Sequence, residues 1–353
     1  MIIHRTIFAN EYILRCKYSH FCPFVMMNLK IHAHKKPLYI PLHICFSSFN
    51  QGGPGSVRDA VKYAIDIGYR SVDCAHAYLN EKEVGDGIQA KLDDGTIKDK
   101  KEIFITTKLW DTHHNRRHIK ENFQKSLDNL KVNCVQLLVI HWPISLKDGD
   151  DLFPKDKDDQ YMFENHDIVD TWKGMEELVD AGMAENIGLS NFNKSQIERI
   201  LQSAQIKPCN LQNFVCFVCR LKYIHPYFSN FKLVDFCLSK GITVTAYAPL
   251  ANPDSPLRTG KEPSIFDEPV LKDIAQKKSK TIAQVVLRFI IQRNIIVIPK
   301  SVTPSRIKEN FDVFSFSLSP DEMEQIWTLD KHPRIFIEKW ASGHPEYPFH
   351  AEF

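Results

Sequence analysis

From about residue 55 onward, short apolar runs rich in β-branched residues alternate with amphipathic segments of helical period, and this alternation constrains the fold more than any other feature of the chain. The first helical segment, "GSVRDAVKYAIDIGY", spaces Val57, Ala60, Val61, Ala64 and Ile65 along one face and closes at Gly68. "RSVDCA" follows as a strand. The pairing repeats through strands "EIFITTKL", "CVQLLVIHW", "AENIGLS", "PCNLQ", "TVTAYAPL" and "IIVIPK", each separated from the next by helical sequence. Nearly continuous apolar strands between helices predict a parallel sheet covered on both faces. Such βα units either close into a barrel or remain an open, doubly wound sheet.

Seven strands are legible, and an eighth is needed for closure. Asp73, Lys108, His141, Ser190, Gln212, Tyr247 and Lys300 all fall at C-terminal strand ends, the face on which a barrel gathers its site. No Gly-x-Gly-x-x-Gly turn opens a βα unit, which argues against a Rossmann domain. The expected fold is α/β, a (β/α)8 TIM barrel with an atypical first strand and an insertion after the sixth.

Composition narrows the function. The 353 residues are 43% hydrophobic and 25% charged, values of a soluble globular enzyme. A net charge of +2 supplies no field for polyanions, so neither nucleic acid nor a membrane surface is an expected partner. The nine Cys are scattered and odd in number, as in a reduced cytosolic protein. No run reaches the roughly 18 apolar residues of a spanning helix. Arg5, Asn10, Glu11, Arg15 and Lys17 interrupt the early apolar runs, so no signal peptide is read. A cytoplasmic monomer is expected.

Taken singly, the polar strand-end residues have ordinary readings. Asp73 could cap a helix, Tyr78 line a core edge, Lys108 be a solvated charge, and His141, beside Val139, Ile140 and Trp142, be a hydrogen-bonded core histidine. Together, at the ends of successive strands, they suit carbonyl reduction, which needs a proton donor at the developing alkoxide. A phenol with a pKa near 10 gives up its proton more readily beside an ammonium, and a carboxylate keeps that ammonium charged when desolvated. A neutral His141 can hold the carbonyl oxygen.

The segments "VDCAHAYLNEKEVG", "LLVIHWP", "GLSNF", "TAYAPL" and "VIPKSVTPSRIKEN" resemble, in order, the signature segments of the aldo-keto reductase superfamily, and "YPFHAEF" resembles its aldose and aldehyde reductase branch. The likeness runs from about residue 51 to the end, dividing the chain into an atypical extension (1–50) and a barrel with a C-terminal specificity loop (51–353). It implies NADPH-dependent reduction of a small carbonyl substrate, with Tyr78 as proton donor, Lys108 and Asp73 tuning it, and His141 orienting the substrate. It further implies that Ser190, Asn191 and Gln212 hold the nicotinamide carboxamide, that Tyr247 stacks on the ring, and that Leu250 lies along the cofactor. Lys300, Ser301, Val302, Thr303, Arg306 and Asn310 correspond to the adenosine 2′-phosphate site, where cationic side chains and a helix N-terminus suit a phosphate. Phe49, Trp110 and Trp142, with His141, correspond to the substrate pocket.

Two segments depart from the family. "ICFSSFNQGGPGSV" puts Cys45, Phe46, Ser47 and Ser48 where the family has Gly-Leu-Gly-Thr, and "LYIPLHICF" is the apolar run available as a substitute first strand, weakened by Pro41. After Gln212, "NFVCFVCRLKY" precedes Ile224, His225, Pro226 and Tyr227 where about two residues are expected. Both have the look of untranslated sequence taken in at exon edges. The Cys216–Cys219 spacing offers one ligand pair, half of a zinc site, and no metal is expected. The alternative function is a barrel that binds cofactor without useful turnover and serves a structural or regulatory role.

Overall fold

In the computed structural model, which describes residues 29–31, 38–40, 45–48, 53–214, 231–251, 264–329 and 339–351, eight parallel strands pair in chain order. They are β1 (Phe46–Ser47), β2 (Ser71–Asp73), β3 (Phe104–Leu109), β4 (Leu137–Ile140), β5 (Ile187–Ser190), β6 (Asn210–Phe214), β7 (Thr243–Tyr247) and β8 (Ile296–Ile298). Among the described residues, ten α-helices surround or follow them: α1 (Ser56–Asp66), α2 (Glu81–Asp93), α3 (Ile119–Leu130), α4 (Ile168–Asp180), α5 (Lys194–Ser203), α6 (Phe231–Ser239), α7 (Pro269–Lys278), α8 (Ile282–Gln292), α9 (Pro304–Phe311) and α10 (Pro320–Trp327). The sheet closes where Ser47 bridges Lys300 and the Cys45 amide donates to Val297 O at 2.9 Å. This is the expected (β/α)8 barrel.

The eighth strand comes from the segment that departs from the family. The run "LYIPLHICF" divides: Leu38–Ile40 pairs antiparallel with Leu29–Ile31 outside the barrel, while Cys45 and Phe46 enter the seam. Ser48 N donates to Asp73 O at 2.8 Å, so the substituted residues still hold β2. At the other departure, β6 runs on through Asn213 and Phe214, in register with Ala246 and Tyr247. Residues 215–223 and His225, Pro226 and Tyr227 lie outside the described residues, as does Phe49.

Strand period decides what points into the barrel. In β4, Leu138 and Ile140 join the large core beneath the helices, whereas Leu137 and Val139 pack inside with Phe104, Cys209 and Ile296. The same alternation in β3 sends Thr107 outward, to donate to Glu81 Oε1 of α2 at 2.6 Å, and turns Lys108 inward. Helix entry is fixed by side-chain caps. Asn193 with Gln196, Thr281 with Gln284 and Ser319 with Glu322 form reciprocal pairs at the starts of α5, α8 and α10, each satisfying amides that have no intrahelical partner.

Candidate active site

Asp73 ends β2, Lys108 stands one residue from the end of β3, and His141 directly follows β4. Tyr78 lies in the short helical turn His76–Tyr78 that leads from β2 toward α2. The barrel brings these four together at its C-terminal mouth. Lys108 and Asp73 are both buried. The Lys108 ammonium donates to Asp73 Oδ1 at 2.7 Å, to the Cys74 carbonyl at 2.8 Å and to Tyr78 Oη at 3.2 Å. An ammonium has three donors, and all three are directed. The second oxygen of Asp73 accepts from Gln212 Nε2 at 2.7 Å, tying β6 to the same carboxylate.

Electrostatics follow from this packing. Burial opposes the charge on Lys108, but Asp73 and then Tyr78 outweigh it, and the Lys108 pKa is raised. For Tyr78, burial is the largest influence and raises the phenol above its ordinary value; Lys108 pulls the other way without reversing it. Sequence reasoning weighed the ammonium but not the desolvation, so it had the net direction wrong. His141 is pushed well below its usual value, first by burial and then by Lys108, so it is neutral, as the apolar neighbours implied. Its Nδ1 is buried without a hydrogen-bond partner.

Aromatic rings surround His141. Tyr78 meets it edge-on at 5.9 Å and Trp110 at 5.1 Å between centroids. Trp110 is held by its indole N–H, which donates to Leu152 O at 2.8 Å. Trp142 shares a buried cluster with Trp110 and also packs on the C-terminal segment, 5.8 Å from Phe349. Four rings the sequence reading left out complete the rim. Phe153 lies 5.3 Å from Trp110 and 6.1 Å from Trp340, and Trp340 contacts both Tyr161 and Phe163. The signal was present in "DLFPKDKDDQYMF", an aromatic-bearing excursion unusually long for a βα loop.

The residues expected around a cofactor fall into two groups. Ser190 and Asn191, at the end of β5, and Gln212, in the middle of β6, are buried. Asn191 takes a left-handed backbone, φ 62°; its Nδ2 donates to His141 O at 2.9 Å and its Oδ1 accepts from Tyr247 Oη at 2.8 Å. Leu250 is half-buried and packs against the main core. After β8, Lys300 and Arg306 are exposed, Ser301 and Asn310 buried, and Val302 packs on the core. Thr303 opens α9 without a side-chain cap, and Pro304 occupies its first turn.

Buried neutral histidines near the mouth carry a stability consequence. Burial, then the charge of His76, lowers His113 to about 4, and burial, then His166, lowers His114 to about 3. The unfolded chain binds these protons near pH 6.5, whereas the folded chain does not. Below that value the unfolded state therefore holds more protons, and stability present above it is lost as pH falls toward the folded values. The urea midpoint is expected to drop between about pH 7 and about pH 5. An unchanged midpoint would contradict this accounting.

Residues 49–331 match the family described as Aldo/keto reductase family. Aldo-keto reductase family 1 member A1 of Gallus gallus is 41% identical over 309 residues, which is 85% of this chain and 92% of that protein. The Homo sapiens protein of the same name is 39% identical over 309 residues with the same coverage. A solved structure, that of the aldose reductase from Schistosoma japonicum, matches with a TM-score of 0.82 and 43% identity, covering 93% of this chain and 100% of that one. With a closed parallel barrel and buried polar groups gathered at its C-terminal mouth, the chain belongs to the aldo/keto reductase family, oxidoreductases that reduce carbonyl groups with a nicotinamide cofactor.

Proposed function

We propose that this chain reduces aldehydes or ketones to alcohols with NADPH, Tyr78 delivering the proton. The observation that carries the reading is the Lys108 ammonium set between Asp73 and Tyr78 Oη. Because Oη accepts from Lys108, the hydroxyl's own proton is directed away from the ammonium. The raised pKa keeps Tyr78 protonated at neutral pH, ready to serve as an acid. When an alkoxide develops, its basicity exceeds that of the phenolate and the proton transfers; Lys108 then stabilises the phenolate left behind. Asp73 keeps Lys108 charged throughout. Neutral His141, whose buried Nδ1 has no acceptor, carries its proton on Nε2 and donates it to the carbonyl oxygen, which fixes the substrate's orientation.

The residues present fit a phosphorylated nicotinamide cofactor. Asn191, Ser190 and Gln212 offer amide and hydroxyl groups for a carboxamide, and Tyr247 offers a ring face. Lys300 and Arg306, beside a helix start with no side-chain cap, offer positive charge and backbone donors for a 2′-phosphate. When bound, NADPH supplies the hydride. The aromatic rim of Trp110 and Phe153 excludes water and favours apolar carbonyl substrates.

Charge-assisted bonds contribute roughly 1.5–3 kcal/mol each. Lys300→Met is therefore expected to weaken NADPH binding by roughly 10- to 150-fold and leave NADH nearly unchanged, measured by quenching of intrinsic fluorescence. Equal losses for both cofactors would place the phosphate elsewhere. Steady-state reduction of a generic aromatic aldehyde by the unmodified chain tests turnover itself; binding without turnover would favour the structural or regulatory reading instead.

A further inference from the structure

The loop between β4 and α4 leaves the barrel and returns as two antiparallel limbs. Leu146 bridges Phe163, Lys147 N donates to Met162 O at 2.8 Å, and Glu164 N donates to Ser145 O at 3.0 Å. Its far end carries Phe153 and Tyr161 into the aromatic rim. At its neck, Asp148 of the outgoing limb faces Glu164 and His166 of the returning limb. One ligand atom from each lies within 4.8 Å of the other two. His166 Nε2 stands 2.6 Å from Glu164 Oε2 and 3.6 Å from Asp148 Oδ1. His118, at the start of α3, holds the other oxygen of Asp148 through Nδ1 at 3.2 Å.

We propose that Asp148, Glu164 and His166 form a zinc site that clamps the neck of this loop. Asp148 Oδ1 is buried and has no hydrogen-bond partner. His166 Nε2 pairs with Glu164 and stands 3.6 Å from that oxygen, beyond hydrogen-bond distance, so it does not satisfy it. A divalent cation satisfies it and neutralises the two facing carboxylates together. One imidazole and two carboxylates are a donor set that zinc accepts, at about 2.0–2.2 Å, which puts tetrahedral ligands about 3.4 Å apart. The Asp148–His166 separation already matches, and the half-exposed Glu164 draws back by less than about 1 Å. His166 ligates through the Nε2 lone pair with its ring N–H on Nδ1; any proton shared between Nε2 and Glu164 passes to water as the metal takes its place. Water fills the fourth position. His118, bonded to the far oxygen of Asp148, orients that carboxylate as outer hydrogen-bond partners of metal ligands do. A bound ion would join both limbs and fix the aromatic end of the loop against Trp110 and Trp340.

The test titrates zinc chloride into the full chain by calorimetry, with Cys216→Ser and Cys219→Ser in the background so that thiols do not compete. One saturable site is expected, weakened at least about tenfold by His166→Gln and by Asp148→Asn. Cobalt, as a spectroscopic probe, should give visible bands that the same substitutions abolish. Absence of saturable binding, or equal affinity in the substituted chains, overturns the site. A second readout tests the clamp. With zinc at about ten times its Kd, chymotryptic cleavage within residues 146–163 should slow by about tenfold, and not in His166→Gln. Unaltered cleavage with zinc bound overturns the clamp.

Discussion

Tyr78→Phe is expected to lower kcat by about 100- to 10,000-fold, the range in which a positioned general acid contributes. The substitution removes one oxygen and little else. The ring remains edge-on to His141 and under the Lys108 ammonium, whose Nζ lies 4.8 Å from its centroid. Lys108 keeps two of its three acceptors, Asp73 and the Cys74 carbonyl. Fold and NADPH affinity should therefore be nearly unaltered, so the loss appears in turnover and not in cofactor binding. Single-turnover kinetics with NADPH in excess makes the measurement. A Phe variant whose turnover lies within about tenfold of the parent would remove Tyr78 from the proton-donor role.

Asp73→Ala is expected to destabilise the fold by about 3–5 kcal/mol, the cost of breaking a buried pair by deleting one partner. Two groups lose their acceptor at once. Lys108 is left buried with a carbonyl and a phenol for company, and Gln212 Nε2 loses the bond it makes to Asp73 Oδ2. Urea denaturation of parent and variant measures the loss. The double substitution Asp73→Leu with Lys108→Met provides the control, because removing both charges leaves no uncompensated ion. It should recover much of the stability while activity stays abolished. A loss below about 1 kcal/mol in Asp73→Ala would mean that water reaches Lys108 and that the pair is not desolvated as described.

The convergence of Asp73, Tyr78, Lys108 and His141 was legible because strand-end position and residue chemistry coincide in sequence. "SVDCAHAY", "TTKLW" and "VIHWP" each carry an apolar strand that stops at a polar residue, and a parallel barrel sends such stops to one face. What was not legible depended on chain segments meeting at a distance. The closing strand has two residues in its ladder, too few for any period to register. Helix α10 did carry a local signal, since Ser319, Pro320 and Glu322 spell its start. The rise in the Tyr78 pKa needs the depth of burial, which sequence does not state. Asp148, Glu164 and His166 have no ligand-like spacing along the chain; only the antiparallel return of the loop makes them neighbours. The tail's part in holding Trp142 was likewise illegible: its ring packs on Phe349 and shares a buried cluster with Trp110 and Tyr347.

The seam between β1 and β8 has a bearing on how the site comes into being. Ser47 and Lys300 come from opposite ends of the barrel sequence, making theirs the most non-local pairing in the sheet. Closing so long a loop costs entropy before any contact compensates, and pairings of that kind form late. Asp73 sits one strand inside the seam, its carbonyl bonded to Ser48 and its carboxylate to Lys108. Lys300, the expected phosphate ligand, is the seam's other edge. A folding intermediate with β2 through β7 assembled would hold the Asp73–Lys108–Tyr78 cluster without the flank that locks it and without Lys300 in place. The proposed site is thus expected to be completed late in folding, when the two ends of the barrel sequence find one another.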